Sequence, residues 1–258
     1  MKLLSLFLSI LIHTCMFAGN IQIGGIEFAY RAPSKINANS RIMVLFGGRN
    51  WDGEKTLKTF NFEDFADKYN LVLVSPSFKN NEYWQPEKWS GIVLKEAIAK
   101  LESMFNLKRR KLFFYGYSAG GQCVNLFYNY MPESVEAWAL HACGVYPPIA
   151  VENGVPALIT CGLNDSERIR ISRAFIYKYR ERGGQVIWKQ YKGGHELNKE
   201  ALEIAKAFFK SCIENKRANF VGEDDSMRIV PISSVDDIDT EFRNYLYSEE
   251  IKKLWEEI

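Results

Sequence analysis

The feature that most constrains the fold of this 258-residue chain is the alternation of short apolar runs with helix-like segments. The runs are almost continuously apolar, and most are closed by glycine or proline. Such runs are typical of strands that are buried on both faces of a parallel sheet. The predicted strands are residues 41–46, 71–74, 111–115, 137–140, 157–160 and 185–191.

Segments with helical periodicity lie between these runs. In residues 92–105, for example, Val93, Ala97 and Leu101 recur at a spacing that places them on one stripe of a helix. Repeated strand–helix alternation predicts an α/β fold with a doubly wound, mostly parallel sheet and helices on both faces. The predicted helices are residues 54–69, 92–105, 118–131, 166–182 and 197–212, and residues 21–30 are predicted to add one or two edge strands.

Composition supports one large globular domain. Apolar residues make up 47% of the chain and charged residues 25%, which is ordinary usage. The formal net charge is only +2 and no basic block stands out, so no nucleic-acid partner is expected. After the N-terminal segment four cysteines remain, which permits disulfides without requiring them. Cys-x-x-Cys pairs are absent and the three histidines are scattered, so no metal site is predicted.

The N-terminus has the layout of a secretory signal peptide, predicted for residues 1–18. Lys2 precedes an apolar run over residues 3–12, which is shorter than the roughly 20 residues needed to span a bilayer. A secreted or periplasmic location follows. Lipid attachment through Cys15 is the second alternative, and a buried N-terminal strand or helix is a third.

The alternation ends near residue 216, and the remaining segment is predicted to be an extension packed on the body. We therefore divide the chain into the signal peptide, an α/β domain over residues 19–215 and a C-terminal extension over residues 216–258. A short strand is predicted at residues 227–231, and Ser248 is the predicted N-cap of a final helix. A disordered tail is the alternative, although its aromatic residues would be costly to leave in water.

The segment Gly116-Tyr117-Ser118-Ala119-Gly120 matches the pattern G-x-S-x-G and lies between a predicted strand and a predicted helix. A direct strand-to-helix turn is a tight, strained corner, and glycines remove the Cβ atoms that would clash there. The corner exposes the serine oxygen above the sheet, where the helix N-terminus favours negative charge. Ser118 is therefore the predicted nucleophile. The alternative is a glycine-rich turn that holds a buried serine.

A serine nucleophile needs a base, and His195 is the best placed histidine because it follows the last predicted strand. His141 is the alternative base. Asp165 lies in the loop after the 157–160 strand, where a carboxylate can orient the histidine. It is the predicted acid, with Glu167 as runner-up and a simple helix N-cap as its other possible role.

In these motifs and their order, residues 41–209 resemble the α/β-hydrolase superfamily. Within it, the chain looks like small secreted esterases of the polyhydroxyalkanoate-depolymerase-like and feruloyl-esterase-like kinds. The resemblance implies a Ser118–His195–Asp165 triad and no cofactor. The short stretch between Ser118 and Asp165 leaves little room for a large lid domain.

The resemblance also implies an oxyanion hole formed by the backbone N–H groups of Ala119 and Gly48, with Arg49 as the runner-up to Gly48. For substrate binding we single out Tyr117 beside the nucleophile, and Trp84 and Trp89 in the aromatic-rich segment 80–89. Packing of these rings onto the body is the alternative role.

The sequence therefore predicts a secreted serine hydrolase that cleaves small-molecule or polymer-linked carboxylic esters through an acyl-enzyme intermediate. A serine peptidase or an acyltransferase can use the same triad, so both remain alternatives. A non-catalytic secreted binding protein that retains the fold is the alternative from another class. No oligomeric state is predicted.

Overall fold

The computed structural model describes residues 18–79 and 83–257. An eight-stranded sheet forms its centre, in the order β1-β2-β4-β3-β5-β6-β7-β8. β1 and β2 are antiparallel to their neighbours, and the other six strands are parallel. The strands are β1 Ala18–Ile23, β2 Ile26–Arg31, β3 Arg41–Phe46, β4 Leu71–Pro76, β5 Leu112–Tyr117, β6 Val135–His141, β7 Ala157–Gly162 and β8 Val186–Tyr191.

All six apolar runs predicted as strands are confirmed, with bounds that shift by at most two residues at either end. The predicted edge strands form a β1–β2 hairpin. Its turn is Gly24–Gly25, and both glycines have positive φ, at 55° and 78°. Two positive φ values in a two-residue turn are those that match the twist of the flanking strands, which explains the glycine pair.

Helices cover both faces of the sheet, as predicted. One face packs against α3, α4 and α5, and the other packs against α1, α2, α6 and α7. Neighbouring residues of β5 illustrate the two cores, because Phe114 points into the first and Phe113 and Tyr115 into the second. The helices are α1 Gly53–Phe60, α2 Glu63–Tyr69, α3 Gly91–Met104, α4 Ala119–Tyr130, α5 Ser166–Glu181, α6 Lys199–Ile213 and α7 Glu249–Glu256.

The prediction of one helix over residues 54–69 is wrong, because the segment forms two helices separated at Asn61. Asn61 adopts a left-handed conformation with φ 50°, which ends α1. In a continuous helix, residues 60 and 62 would point to different sides. The break lets both Phe60 and Phe62 be fully buried, with their rings 4.9 and 5.3 Å from that of Tyr115.

Residues from 216 onward form a second, three-stranded sheet and α7, and both pack beside β8. The sheet has the order β10-β9-β11, from β9 Phe220–Glu223, β10 Ile229–Pro231 and β11 Arg243–Leu246. The Asn244 side-chain oxygen accepts the backbone N–H of Trp188 at 2.6 Å, and the Trp255 indole donates to the Trp188 carbonyl at 2.8 Å. These bonds occupy polar groups along the outer edge of β8, which would otherwise be open for pairing.

The final helix begins as predicted, with the Ser248 hydroxyl accepting the N–H of Ile251 at its first turn. Between β6 and β7, residues 142–156 contain no helix or strand, so nothing there forms a lid domain over the carboxyl ends of the strands. Within the described part of the chain, no helix is both long and apolar enough to cross a bilayer. The predicted signal peptide lies outside the described residues except for Ala18, the first residue of β1.

Candidate active site

Ser118 lies at the sharp corner between β5 and α4. Its backbone has φ 54° and ψ −114°, a conformation that is rare and strained for a residue with a side chain. Two flanking glycines permit the turn. A Cβ on Gly120 would lie 1.9 Å from the carbonyl oxygen of Phe46, and one on Gly116 would lie 2.3 Å from the carbonyl oxygen of Gly120. The corner is thus held by backbone packing that only glycine allows.

The corner is tied to the rest of the sheet by its own backbone. The Ser118 N–H donates to the carbonyl of His141 at 2.8 Å, so the residue after β5 is anchored to the end of β6. Ala119 begins α4, and the first N–H groups of a helix have no intrahelical acceptor. Partial positive charge therefore lies beside the Ser118 side chain.

His195 lies within hydrogen-bonding distance of Ser118. Its Nε2 is 2.9 Å from the Ser118 Oγ, and its Nδ1 is 2.8 Å from an Asp165 carboxylate oxygen. A carboxylate can only accept, so Nδ1 carries the ring hydrogen and Nε2 is left to accept the serine proton. The structure thus brings together Ser118, His195 and Asp165, the three residues predicted as nucleophile, base and acid.

Asp165 reaches His195 because the pairing of β7 and β8 continues into the loops beyond both strands. Leu163 donates its N–H to the carbonyl of Tyr191 at 2.9 Å, and Asn164 donates to that of Gly193 at 2.8 Å. Gly162 allows this close approach, because a Cβ there would lie 2.2 Å from the carbonyl oxygen of Gly194. The loop after β7, which carries Asp165, is therefore held beside the loop after β8, which carries His195 and which we call the histidine loop.

The Asp165 side chain is almost fully buried and accepts hydrogen bonds from two side chains, those of His195 and Arg168. Its second carboxylate oxygen accepts from the Arg168 guanidinium at 3.0 Å, one turn along α5. Asp165 does stand at the N-cap position of α5, but its side chain makes no hydrogen bond to the first turn. Glu167, the runner-up, is exposed. Asp165, not Glu167, therefore bonds to the histidine.

His141, considered above as an alternative base, lies beneath the histidine loop and is fully buried. Its Nε2 lies 2.8 Å from the carbonyl oxygen of Glu196, and its Nδ1 lies 2.6 Å from the Thr160 hydroxyl. Because a carbonyl only accepts, Nε2 carries the hydrogen and Nδ1 accepts from Thr160. Burial disfavours the charged form and lowers the pKa of His141 to about 4.

Tyr191, the last residue of β8, completes this support. Its hydroxyl donates to the same Glu196 carbonyl at 3.0 Å and lies 2.5 Å from the His141 Nε2. Sequence reasoning missed this pair, because nothing in the local sequence of His141 or Tyr191 indicates that they meet at Glu196. The only available signal was that each residue ends a predicted strand.

Tyr117 connects the buried histidine to the exposed one. Its ring is stacked 5.5 Å from that of His195 and 5.7 Å from that of His141, and the Tyr191 ring lies 4.9 Å from His141. The Tyr117 hydroxyl also donates to the carbonyl of His195 at 3.1 Å. Tyr117, predicted to bind substrate, is thus in direct contact with His195, the predicted base.

The predicted oxyanion residues flank the same corner. Ala119 directly follows Ser118, and Gly48 follows β3 in the loop whose carbonyls at Phe46 and Gly47 pack on Gly120. A Cβ on Gly48 would lie 3.2 Å from the Tyr117 ring, which shows how close this loop approaches. Arg49, the runner-up, is exposed.

Trp84 and Trp89 are half-buried and pack on the body. Trp84 lies 3.9 Å from the Tyr83 ring, and Trp89 lies 5.8 Å from that of Phe78. Phe78 and Tyr83, in turn, line a small cleft together with Gly48 and Trp51. The structure thus places Phe78 and Tyr83, rather than the two tryptophans, in the cleft beside Gly48.

The four cysteines among the described residues are buried and unbridged: Cys123, Cys143, Cys161 and Cys212. Over the same residues, no group of three or more His, Cys, Asp or Glu side chains is placed to share a metal ion.

Several solved structures share this architecture at low sequence identity. An S-formylglutathione hydrolase from Agrobacterium tumefaciens aligns with a TM-score of 0.61 at 14% identity, over 77% of this chain and 93% of that protein. A ferulic acid esterase aligns with a TM-score of 0.58 at 12% identity, over 76% and 95% of the two chains. A thermostable esterase aligns with a TM-score of 0.56 at 18% identity, over 68% of this chain, which spans about half of that protein (54%).

No family model and no curated protein matches the chain. At the identities of these solved structures, the likeness establishes the fold. The strand order, the helices on both faces and these structural neighbours together identify the architecture of this chain as the α/β-hydrolase fold.

Proposed function

We propose that this protein is a secreted serine hydrolase that cleaves carboxylic esters, with Ser118, His195 and Asp165 as its catalytic triad. One observation carries the proposal. A strained serine at the strand-to-helix corner, a histidine 2.9 Å from its oxygen and a buried carboxylate 2.8 Å from that histidine form one hydrogen-bonded relay.

In the first step, the Ser118 Oγ attacks the ester carbonyl carbon while the His195 Nε2 takes the hydroxyl proton. The protonated imidazole then donates through both nitrogens, and the Asp165 carboxylate stabilises its charge. The imidazole returns the proton to the leaving alkoxide as the carbon–oxygen bond breaks. The alcohol departs, and the acyl group stays on Ser118.

The carbonyl oxygen carries a negative charge in the tetrahedral intermediate. We assign its stabilisation to the N–H groups of Ala119 and Gly48, which flank the corner at the N-terminus of α4. Water then attacks the acyl-enzyme, with His195 again accepting the proton. The acid leaves and the Ser118 hydroxyl is restored, so the cycle needs no cofactor.

The openness of the site favours substrates larger than a buried pocket would hold. The His195 side chain is 33% exposed, and the loop over residues 142–156 carries no lid element. An ester attached to a polymer or to a bulky alcohol can therefore approach Ser118 from solvent.

The experiment is steady-state hydrolysis of acetyl, feruloyl and longer acyl esters by the purified protein and by Ser118→Ala. We expect kcat to fall by about 10⁴-fold or more in that variant. Ser103→Ala is the matched control, because Ser103 is exposed on α3 and its variant should keep full activity. Equal rates in Ser118→Ala and the native protein would contradict the proposal.

The same panel separates the alternatives. Faster turnover of peptide substrates would indicate a peptidase, and acyl transfer to an added alcohol in preference to water would indicate an acyltransferase. Absence of any turnover would favour a binding protein. Secretion is tested separately, by mass spectrometry of the N-terminus of the exported protein, where the result predicted is a chain that begins close to residue 19.

A further inference from the structure

The edge of the sheet opposite Ser118 carries an uninterrupted run of cations that the net charge of +2 conceals. Residues 108–111 connect α3 to β5 and read Lys-Arg-Arg-Lys, and all four residues are exposed. None of them forms an ion pair with any other described residue. The prediction of no basic block is therefore wrong for residues 108–111.

A second loop joins this run and extends the positive surface. The Lys108 N–H donates to the carbonyl of Ala38 at 2.8 Å, and the Arg110 guanidinium donates to the Asn39 side chain at 3.1 Å. The loop over residues 32–40 also carries Lys35, which is exposed and has no ion pair with a described residue. We call the surface formed by Lys35 and residues 108–111 the basic edge.

The N-terminal apolar segment joins the folded body at this same edge. The loop over residues 32–40 directly follows Arg31, and Arg31 pairs with Ala18, the first residue of β1. Residues 3–12, the apolar run in the sequence, therefore precede a strand that starts beside the basic edge.

We propose that the basic edge docks on an anionic lipid bilayer. Cations near an anionic membrane surface each strengthen binding by about fivefold. Glu102 and Glu133, which line a cleft with Arg109 and Arg110, only partly offset the positive charge. Isolated cations scattered over a surface would not reach one membrane surface together, whereas these four are consecutive in the chain and all exposed.

Docking in this orientation leaves the candidate active site facing away from the membrane. Lys111 immediately precedes β5 and Ser118 immediately follows it, so the six residues of that strand separate the two. At about 3.3 Å per residue, the separation is about 20 Å. A bilayer at the basic edge therefore leaves Ser118 open to water-borne substrates.

The test measures binding of the full chain to vesicles of phosphatidylcholine alone and to vesicles with about one-third phosphatidylglycerol. The ratio of the two affinities isolates the headgroup charge from any contribution of the apolar segment. With residues 108–111 replaced by Gln, we expect this ratio to fall by about 600-fold at low salt, about fivefold for each of the four cations, and the native ratio to shrink as salt is added.

A matched variant with the same loss of charge elsewhere replaces Lys55, Lys58, Lys192 and Lys199 by Gln, and its ratio should change by less than about threefold. Arg109→Lys with Arg110→Lys should keep the ratio, because it preserves both charges, and urea denaturation of the four-Gln variant checks that it still folds. Equal losses in both four-residue variants would overturn the proposal. An unchanged ratio of vesicle affinities in the variant with residues 108–111 replaced by Gln would also overturn it. If that variant had lost binding to a heparin column as well, the partner of the basic edge would be a soluble polyanion instead.

Discussion

The nucleophile corner and the histidine loop meet at one hydrogen bond, but they are held in place by different means. At the corner, the glycines around Ser118 pack so tightly that no added methyl group fits between Gly120 and the backbone of Phe46. In the loop, a Cβ on Gly194 would touch nothing within 4 Å. Besides its backbone bonds to the loop after β7, the histidine loop is held by hydrogen bonds from the side chains of Tyr117, His141 and Tyr191.

Mutations in the two halves of the hydrogen-bonded relay should therefore have different effects. Steric packing of the backbone is part of the fold, so changes at the corner should appear first as lost stability. Hydrogen bonds to loop carbonyls fix orientation more than they stabilise the chain, so changes beneath the loop should appear first as lost catalysis. Four predictions test this contrast, in order of expected size.

The largest effect is expected for Gly120→Ala. The added Cβ would lie 1.9 Å from a backbone oxygen that cannot move without displacing β3. We expect the free energy of unfolding to fall by about 4 kcal/mol or more, measured by urea denaturation. A loss below about 1 kcal/mol would show that the corner is more adaptable than its packing indicates.

The second prediction concerns pH and His141. The pKa of this group is about 4 in the folded protein against an ordinary value of 6.5, so the unfolded chain binds a proton first as the pH falls. The neutral, buried His141 makes its full contribution to the free energy of unfolding above about pH 6.5. About 3 kcal/mol of that free energy is lost by pH 4.

Urea denaturation at several pH values, for the native protein and for His141→Gln, isolates this part of the pH dependence. The difference between their free energies of unfolding should change by about 3 kcal/mol between pH 7 and pH 4. If the free energies of unfolding of the two proteins changed in parallel with pH, His141 would not be a neutral, buried group beneath the histidine loop.

The third prediction is a catalytic one. Tyr191→Phe removes the hydroxyl that donates to the Glu196 carbonyl, so the loop gains freedom to move His195 away from Ser118. We expect kcat for ester hydrolysis to fall by about tenfold, with KM changed by less than about twofold. Tyr247→Phe removes a hydroxyl that bonds to Gln185 and is the control. Similar kinetics in both variants would argue against the supporting role of Tyr191.

The smallest effect is expected for Gly194→Ala. The position has open space and no positive φ that would strain alanine. We therefore expect the free energy of unfolding to stay within about 0.5 kcal/mol of the native value, and kcat to stay within about twofold. A large loss of stability here would remove the distinction between the loop and the corner.

Features with a local signal could be predicted from the sequence, and contacts between distant residues could not. The apolar runs of the parallel strands and the glycine pattern around Ser118 are local signals, and the strand predictions are confirmed to within two residues. The division of residues 54–69 into two helices could not be predicted, because it depends on Phe60 and Phe62 both reaching Tyr115 on a neighbouring strand.

Contacts between residues that are distant in sequence could not be predicted either. Asp165 and His195 are suggested by their positions after strands, but Tyr191 and His141 join them only because β6, β7 and β8 are adjacent. In the C-terminal segment, a final helix was predicted from its N-cap and apolar positions. The bond from Asn244 to β8 has no local signal in the sequence.

If His195 activates Ser118, the histidine should control the rate at which a fluorophosphonate labels the protein covalently. Mass spectrometry should find one label, on Ser118, and the labelling rate should fall by about 10³-fold or more in His195→Gln. Labelling of another residue, or an equal rate in His195→Gln, would contradict the account.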